Sequence, residues 1–124
     1  MEFATYVNQI RQEVEGKDPR KTSAKLRGSI VFLLRDVGGV LHRVTIRIER
    51  SHVEVSDDGA TISDAAEAIV RGRLDDCAKF FAQPTEETIK KLELYGDTRL
   101  FGMVGELAQQ KRDVNAVRFA RHNK

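Results

Sequence analysis

The sequence predicts an α+β domain, and three observations predict it. Apolar residues recur at helical spacing near the start, in the stretch after Gly72 and in the last quarter; between the first two of these regions they alternate strictly; and Gly-bearing turns separate the alternating runs. At 124 residues and 14.0 kDa the chain has room for one core and no second one, so residues 1–124 are read as a single domain.

Phe3, Tyr6, Val7, Ile10 and Val14 form one face of a helix over residues 1–16 that stops at Gly16. Lys17 to Arg27 holds Asp18-Pro19 and five basic residues and is read as a loop with a helical turn around Ser23 to Leu26. Ile30 to Leu34, which includes Phe32, is continuously apolar and reads as a strand covered on both faces. Asp36-Val37-Gly38-Gly39 supplies a turn. Val44, Ile46 and Ile48 then alternate with Thr45, Arg47 and Glu49, and His52 to Val55 repeats the pattern, completing a three-stranded antiparallel meander closed by the turn Asp57-Asp58-Gly59. After an extended piece, Ala60 to Ser63, Asp64 and Glu67 have capping-box spacing and Gly72 stands at a helix stop, so a short helix carrying Ile69 is expected between them. A second short helix, Leu74 to Ala82, presents Phe80 and Phe81 with Asp75 placed as its N-cap, and Thr85 to Ile89 adds a turn. Lys91 to Tyr95 alternates, with Leu92 and Leu94 on one side. Thr98 to Gln110 is a helix whose apolar surface, Leu100, Phe101, Met103, Val104, Leu107 and Ala108, is wide enough to demand cover on most sides.

The net charge of +2 is unevenly spread: residues 1–49 carry +3, residues 50–110 carry −5, and the C-terminal extension 111–124 carries +4. Basic ends suit an anionic partner, such as a lipid headgroup, a CoA-like phosphate, an acidic protein or a nucleic acid, and equally suit plain solvation. The basic ends hold only Phe119 for stacking, so no nucleic-acid partner is expected, and nucleic-acid binding through the basic termini stands as the third reading after those given below. No apolar run reaches the ~20 residues of a membrane span, the start lacks a secretory signal, and the lone Cys77 suits a reducing compartment; the expected location is cytoplasmic. Catalytic chemistry is not indicated. His42, His52 and His122 have no metal-pair spacing, Cys77 lies in an apolar helical face, and neither Val37-Gly38-Gly39 nor Gly102-Met103-Val104-Gly105 is a phosphate loop. Neither a cofactor nor a metal is expected.

From Gly28 to Leu107, about two thirds of the chain, the order of elements and several local strings resemble the sterol carrier protein type 2 domain, the non-specific lipid-transfer module. The strings are Gly28-Ser29-Ile30-Val31-Phe32, Ala60-Thr61-Ile62-Ser63, Gly72-Arg73-Leu74, Phe80-Phe81 and Lys91-Leu92-Glu93-Leu94-Tyr95-Gly96-Asp97. The resemblance implies a five-stranded, mostly antiparallel sheet covered by helices, and a hydrophobic tunnel between them for a fatty acid, acyl-CoA or sterol-like lipid that is carried and not transformed. Its wall would fall on Leu100, Phe101, Met103, Val104 and Leu107 of the last helix and on Phe80 and Phe81, with Phe32, Leu34, Ile46, Ile48, Ile69, Leu92 and Leu94 completing the lipid-binding set. A membrane surface or a partner protein would accompany the lipid; the alternative is an accessory or scaffold domain with a closed cavity that binds a protein. Three departures stand out: Ala82 to Ile89 replaces the tight glycine connection usual in the family, Phe101 is bulky where smaller residues are common, and His122-Asn123-Lys124 is not a peroxisomal address.

Overall fold

A computed structural model describes residues 2–57 and 66–110. Helix α1 (Phe3–Val14) buries Tyr6, Val7, Ile10 and Val14, the face its periodicity marks, and ends where Gly16 takes a φ of 80°. Strands β1 (Gly28–Arg35), β2 (Leu41–Ile48) and β3 (Val53–Ser56) form the expected antiparallel meander. Its first turn closes when Asp36 accepts a hydrogen bond from the Val40 amide at 2.9 Å and Gly39 adopts a φ of 83°.

Strand β4 (Ala68–Arg73) lies parallel to β1, and β5 (Glu93–Gly96) pairs antiparallel with β4, so the sheet order is β3-β2-β1-β4-β5. Here the structure corrects the sequence reading, which expected a short helix up to Gly72. The reason is pairing at a distance: Ala68 and Val70 fall on the inner face beside Ile30 and Phe32, while Ile69 and Arg71 face outward, a period of two. Glu67 is no helix-cap residue. Its amide donates to the Ser29 carbonyl and its carboxylate accepts from the Ser29 amide at 2.5 Å, which fastens β4 to β1. Gly72 is a strand residue beneath Leu92, whose Cδ2 would stand 2.7 Å from a Cβ there. The first two residues of the expected helix, Asp64 and Ala65, the extended piece Ala60 to Ser63, most of the turn at Asp57-Asp58-Gly59 and the extension 111–124 lie outside the described residues.

Helix α2 (Leu74–Ala82) starts at Leu74, so Asp75 sits in its first turn, favourable to the helix dipole, and is not the cap. Helix α3 (Glu86–Ile89) has a reciprocal cap between Thr85 and Thr88. Strand β5 begins two residues later than expected, leaving Leu92 in the preceding turn. Helix α4 (Thr98–Gln109) is capped by Asp97, which accepts from the Arg99 amide at 3.1 Å and ion-pairs with its guanidinium at 2.8 Å. Gly96 makes the corner: its φ is 82°, and a Cβ would lie 2.3 Å from the Glu67 carbonyl, which also accepts from the Asp97 amide. Helix α4 buries all six apolar residues expected of it, against β1, β4, α1 and α2. Among the described residues no helix is long and apolar enough to cross a membrane.

Candidate lipid-binding interior and its cationic mouth

The register of the sheet decides which side chains meet. Ile30 stands beside Ile46 and Ala68, Phe32 beside Val44 and Val70, and Leu34 across from Gly72, all on the face that α1, α2 and α4 cover. Helical spacing brings Leu100, Phe101, Met103, Val104 and Leu107 onto that face from α4. The predicted residues therefore converge in one cluster, except two. Leu94 is only partly buried against its edge, and Ile69 points to the opposite side of the sheet, in register with Val31 and Tyr95. Ile69 accordingly leaves the wall assigned to it, because a strand turns alternate residues to opposite faces and the expected helix would not have.

At the centre is a chain of aromatic rings. Phe80 stacks on Phe101 with centroids 4.4 Å apart and meets Phe81 edge-on at 5.4 Å; Phe32 lies 5.9 Å from Phe81 and 6.3 Å from Phe101; Tyr6 approaches Phe81 at 6.5 Å. Phe32, Leu34, Ile46, Ile48, Phe80, Phe81, Leu100, Phe101, Met103, Val104 and Leu107 are each 0 to 3% exposed. So little surface remains that these side chains pack against one another and fill the space between them. Phe101, the bulky departure, is a filling ring.

One polar spot interrupts this interior. The Tyr6 hydroxyl is buried with the Cys77 thiol as its neighbour and, among the described residues, no stronger partner; burial first, then Cys77, raises its pKa well above the usual tyrosine value. Burial pushes the Cys77 thiol up to about 12, which makes it an inert small hydrophobe, as the sequence suggested.

What holds α4 down is the α1–β1 loop, whose bonding the sequence did not reveal. It forms a 3-10 turn at Pro19–Lys21, nucleated by Asp18 accepting from the Arg20 amide at 2.9 Å, in place of a turn at Ser23 to Leu26. From there it reaches α4 repeatedly. Lys17 Nζ donates to the Leu107 carbonyl at 3.0 Å, the Asp18 amide to Gln110 Oε1 at 2.7 Å, the Ser23 hydroxyl to Glu106 at 2.6 Å and the Leu26 amide to Met103 Sδ at 3.1 Å. Beside this strap Arg20, Lys25, Arg27 and Arg50 line a cleft of about 370 Å3 with Pro19 and Leu26. Arg27 and Arg50 come together because Gly28 and Ile48 are register partners, so the residues flanking those strand ends are neighbours. The hydrogen bond and charge of Arg20 hold the Asp18 carboxyl below the usual carboxylate range.

No family model and no curated protein matches the chain. Solved structures do. Sterol carrier protein 2-like 2 from Aedes aegypti is 19% identical over 83% of this chain and 93% of its own, with a TM-score of 0.59. A ubiquinone synthesis protein, UbiJ-SCP2, is 14% identical over 86% and 91%, with a TM-score of 0.61. Sterol carrier protein 2 from Aedes aegypti in complex with palmitate, a C16 fatty acid, is 18% identical over 87% and 96%, with a TM-score of 0.57. At these identities the likeness establishes the fold, and the fold is that of the sterol carrier protein 2 domain.

Proposed function

We propose that this chain, built on the sterol carrier protein 2 fold, is a non-catalytic carrier that takes one extended apolar molecule between α4 and the sheet and holds its anionic end at the Arg20, Lys25, Arg27 and Arg50 cleft. One observation carries the reading: Leu26 lines that cleft while its amide is bonded to Met103 on the inner face of α4, so charge recognition and the apolar interior adjoin. A structural neighbour in complex with palmitate supports an acyl chain as the guest. Loading begins with release of the loop's polar bonds to α4, most of which are exposed or part-buried and therefore individually weak.

The magnitudes allow it. Burying the ~15 carbon groups of a sixteen-carbon tail at about 0.8 kcal/mol each gives about 12 kcal/mol gross. Micromolar binding needs about 8, which leaves about 4 for lifting the lid and ordering the guest. Tails below about 10 carbons fall short of micromolar affinity on the same arithmetic. The test is a fluorescent fatty-acid titration with competitors of graded chain length, with native mass spectra of the purified protein. A double change Arg27→Ala and Arg50→Ala is expected to weaken palmitate binding and to leave hexadecanol binding unchanged; equal loss for both ligands, or none, refutes the assigned mouth.

The filled interior favours a second reading, an accessory domain whose core stays closed and whose surface binds a protein. Absence of any lipid binding, together with a stable stoichiometric protein complex, would select it.

A further inference from the structure

Among the described residues four large apolar side chains stand well out of the surface, and three belong to one turn. Val37 is 81% exposed, Val40 56% and Leu41 53%, at the tip of the β1–β2 hairpin. Turn tips in water are normally polar, and three aliphatic side chains in five residues are not needed to make this one, since Gly39 and the Asp36 side chain already supply its geometry. The carboxylate within the turn is occupied: Asp36 Oδ2 pairs with His42 Nε2 at 2.8 Å and Oδ1 accepts from Val40.

Beside the tip is a second cationic cleft, of about 310 Å3, remote from the first. The register explains its charge. Arg35 of β1 is the direct partner of Arg73 on β4, a like-charge pair that costs free energy unless an anion lies between, and Arg71 and Lys91 line the same cleft with Leu41. Two carboxylates, Asp76 and Glu93, also line it, against four cations; Glu2 borders the far side of the tip. Among the described residues no carboxylate lies within ion-pair distance of Arg35, Arg71, Arg73 or Lys91.

We infer that the β1–β2 hairpin tip and the adjoining Arg35, Arg71, Arg73 and Lys91 form a docking surface for an anionic lipid bilayer, the aliphatic side chains entering the interface and the cations meeting phosphate headgroups. Charge complementarity selects an anionic occupant, and the aliphatic tip selects a membrane over a nucleic acid, which would call for stacking aromatics. The surface does not depend on the interior taking a guest.

The experiment is vesicle co-sedimentation of the full chain with phosphatidylcholine alone and with added phosphatidylglycerol, at low and high salt. Binding is expected only with the anionic lipid and to fall with salt. Val37→Asp should lower the partition coefficient about tenfold, and Arg73→Glu about fivefold or more, with Arg73→Lys restoring most of it. Both positions, Val37 and Arg73, are on the surface, so thermal midpoints stay near wild type, and solution binding of the fluorescent fatty acid is unaffected; its loss in every form would count against the carrier reading and leave this one standing. Equal partition of wild type and variants, binding to neutral vesicles alone, no binding, or stronger salt-sensitive binding to duplex DNA or polyglutamate would each overturn the inference.

Discussion

Replacing Phe101 by alanine asks whether the space between α4 and the sheet is filled in solution. The ring is 3% exposed, stacked on Phe80 and tilted against Phe32. Burial of a phenylalanine side chain contributes about 1.5–3 kcal/mol and each favourable ring pair about 0.5–1.5, which for two pairs gives about 2.5–6, in line with the 3–5 typical of Phe→Ala in a close-packed core. With an unfolding entropy of about 2.1 cal/mol/K per residue, a 124-residue chain loses about 4 °C per kcal/mol, so the expected drop in Tm is about 11–19 °C. Differential scanning fluorimetry reads it, and urea unfolding at constant m-value checks that the native state remains ordered. A drop under about 4 °C would mean that the ring loses almost no contacts, that the interior is hollow in solution, and that the packing argument is wrong. The same variant should bind a fluorescent fatty acid more tightly than wild type, since part of the space is already open.

Gly96→Ala combines a positive φ with a Cβ 2.3 Å from the Glu67 carbonyl and should cost about 2–5 kcal/mol, whereas Gly39→Ala, at nearly the same φ with nothing within 4 Å, should cost about 1; thermal melts of the pair separate steric from conformational strain. Cys77 should react with a thiol reagent such as DTNB only as fast as the chain opens, so labelling of the native protein at the rate of free cysteine would contradict its burial. Acid should weaken the fold in a defined direction. Hydrogen bonds from Arg20, His42 and Arg99 lower the folded pKa values of Asp18, Asp36 and Asp97; their contribution is therefore complete above the ordinary carboxylate pKa of about 4 and is lost as pH falls below it. A urea midpoint that stays flat from pH 6 down to pH 2 would refute this.

Much of the architecture was legible because it is local. The alternation of Val44, Ile46 and Ile48, the helical stripe of Tyr6, Ile10 and Val14, and the crowded apolar surface of Leu100 to Leu107 each report a face to be covered, and each is covered. That Phe80, Phe81 and Phe101 share one wall was implied by the resemblance to the sterol carrier protein type 2 domain, and periodicity alone gave only their separate helical faces. What was missed is non-local. Ala68 to Arg73 alternates over only six residues, behind a segment with the spacing of a helix cap, and its identity as a strand rests on β1, some forty residues earlier in the chain. The error at Ile69 follows from that one. Lys17, Ser23 and Leu26 carry no periodicity, and their partners Leu107, Glu106 and Met103 lie 90, 83 and 77 residues away, so no local pattern could mark the loop as a strap.

Those long separations bear on the order of assembly. Contacts between the first and last quarters of a chain require the largest loops to be closed, while the hairpins of the meander need only short ones. During synthesis the sheet's apolar face is therefore complete in sequence, yet covered only by the shorter reach of α1 and α2, until the residues after Asp97 emerge and are tied down. On the proposed carrier reading, a nascent chain offers a guest a floor whose roof is still incomplete, and enclosure during folding becomes a route of loading distinct from prising open the finished molecule.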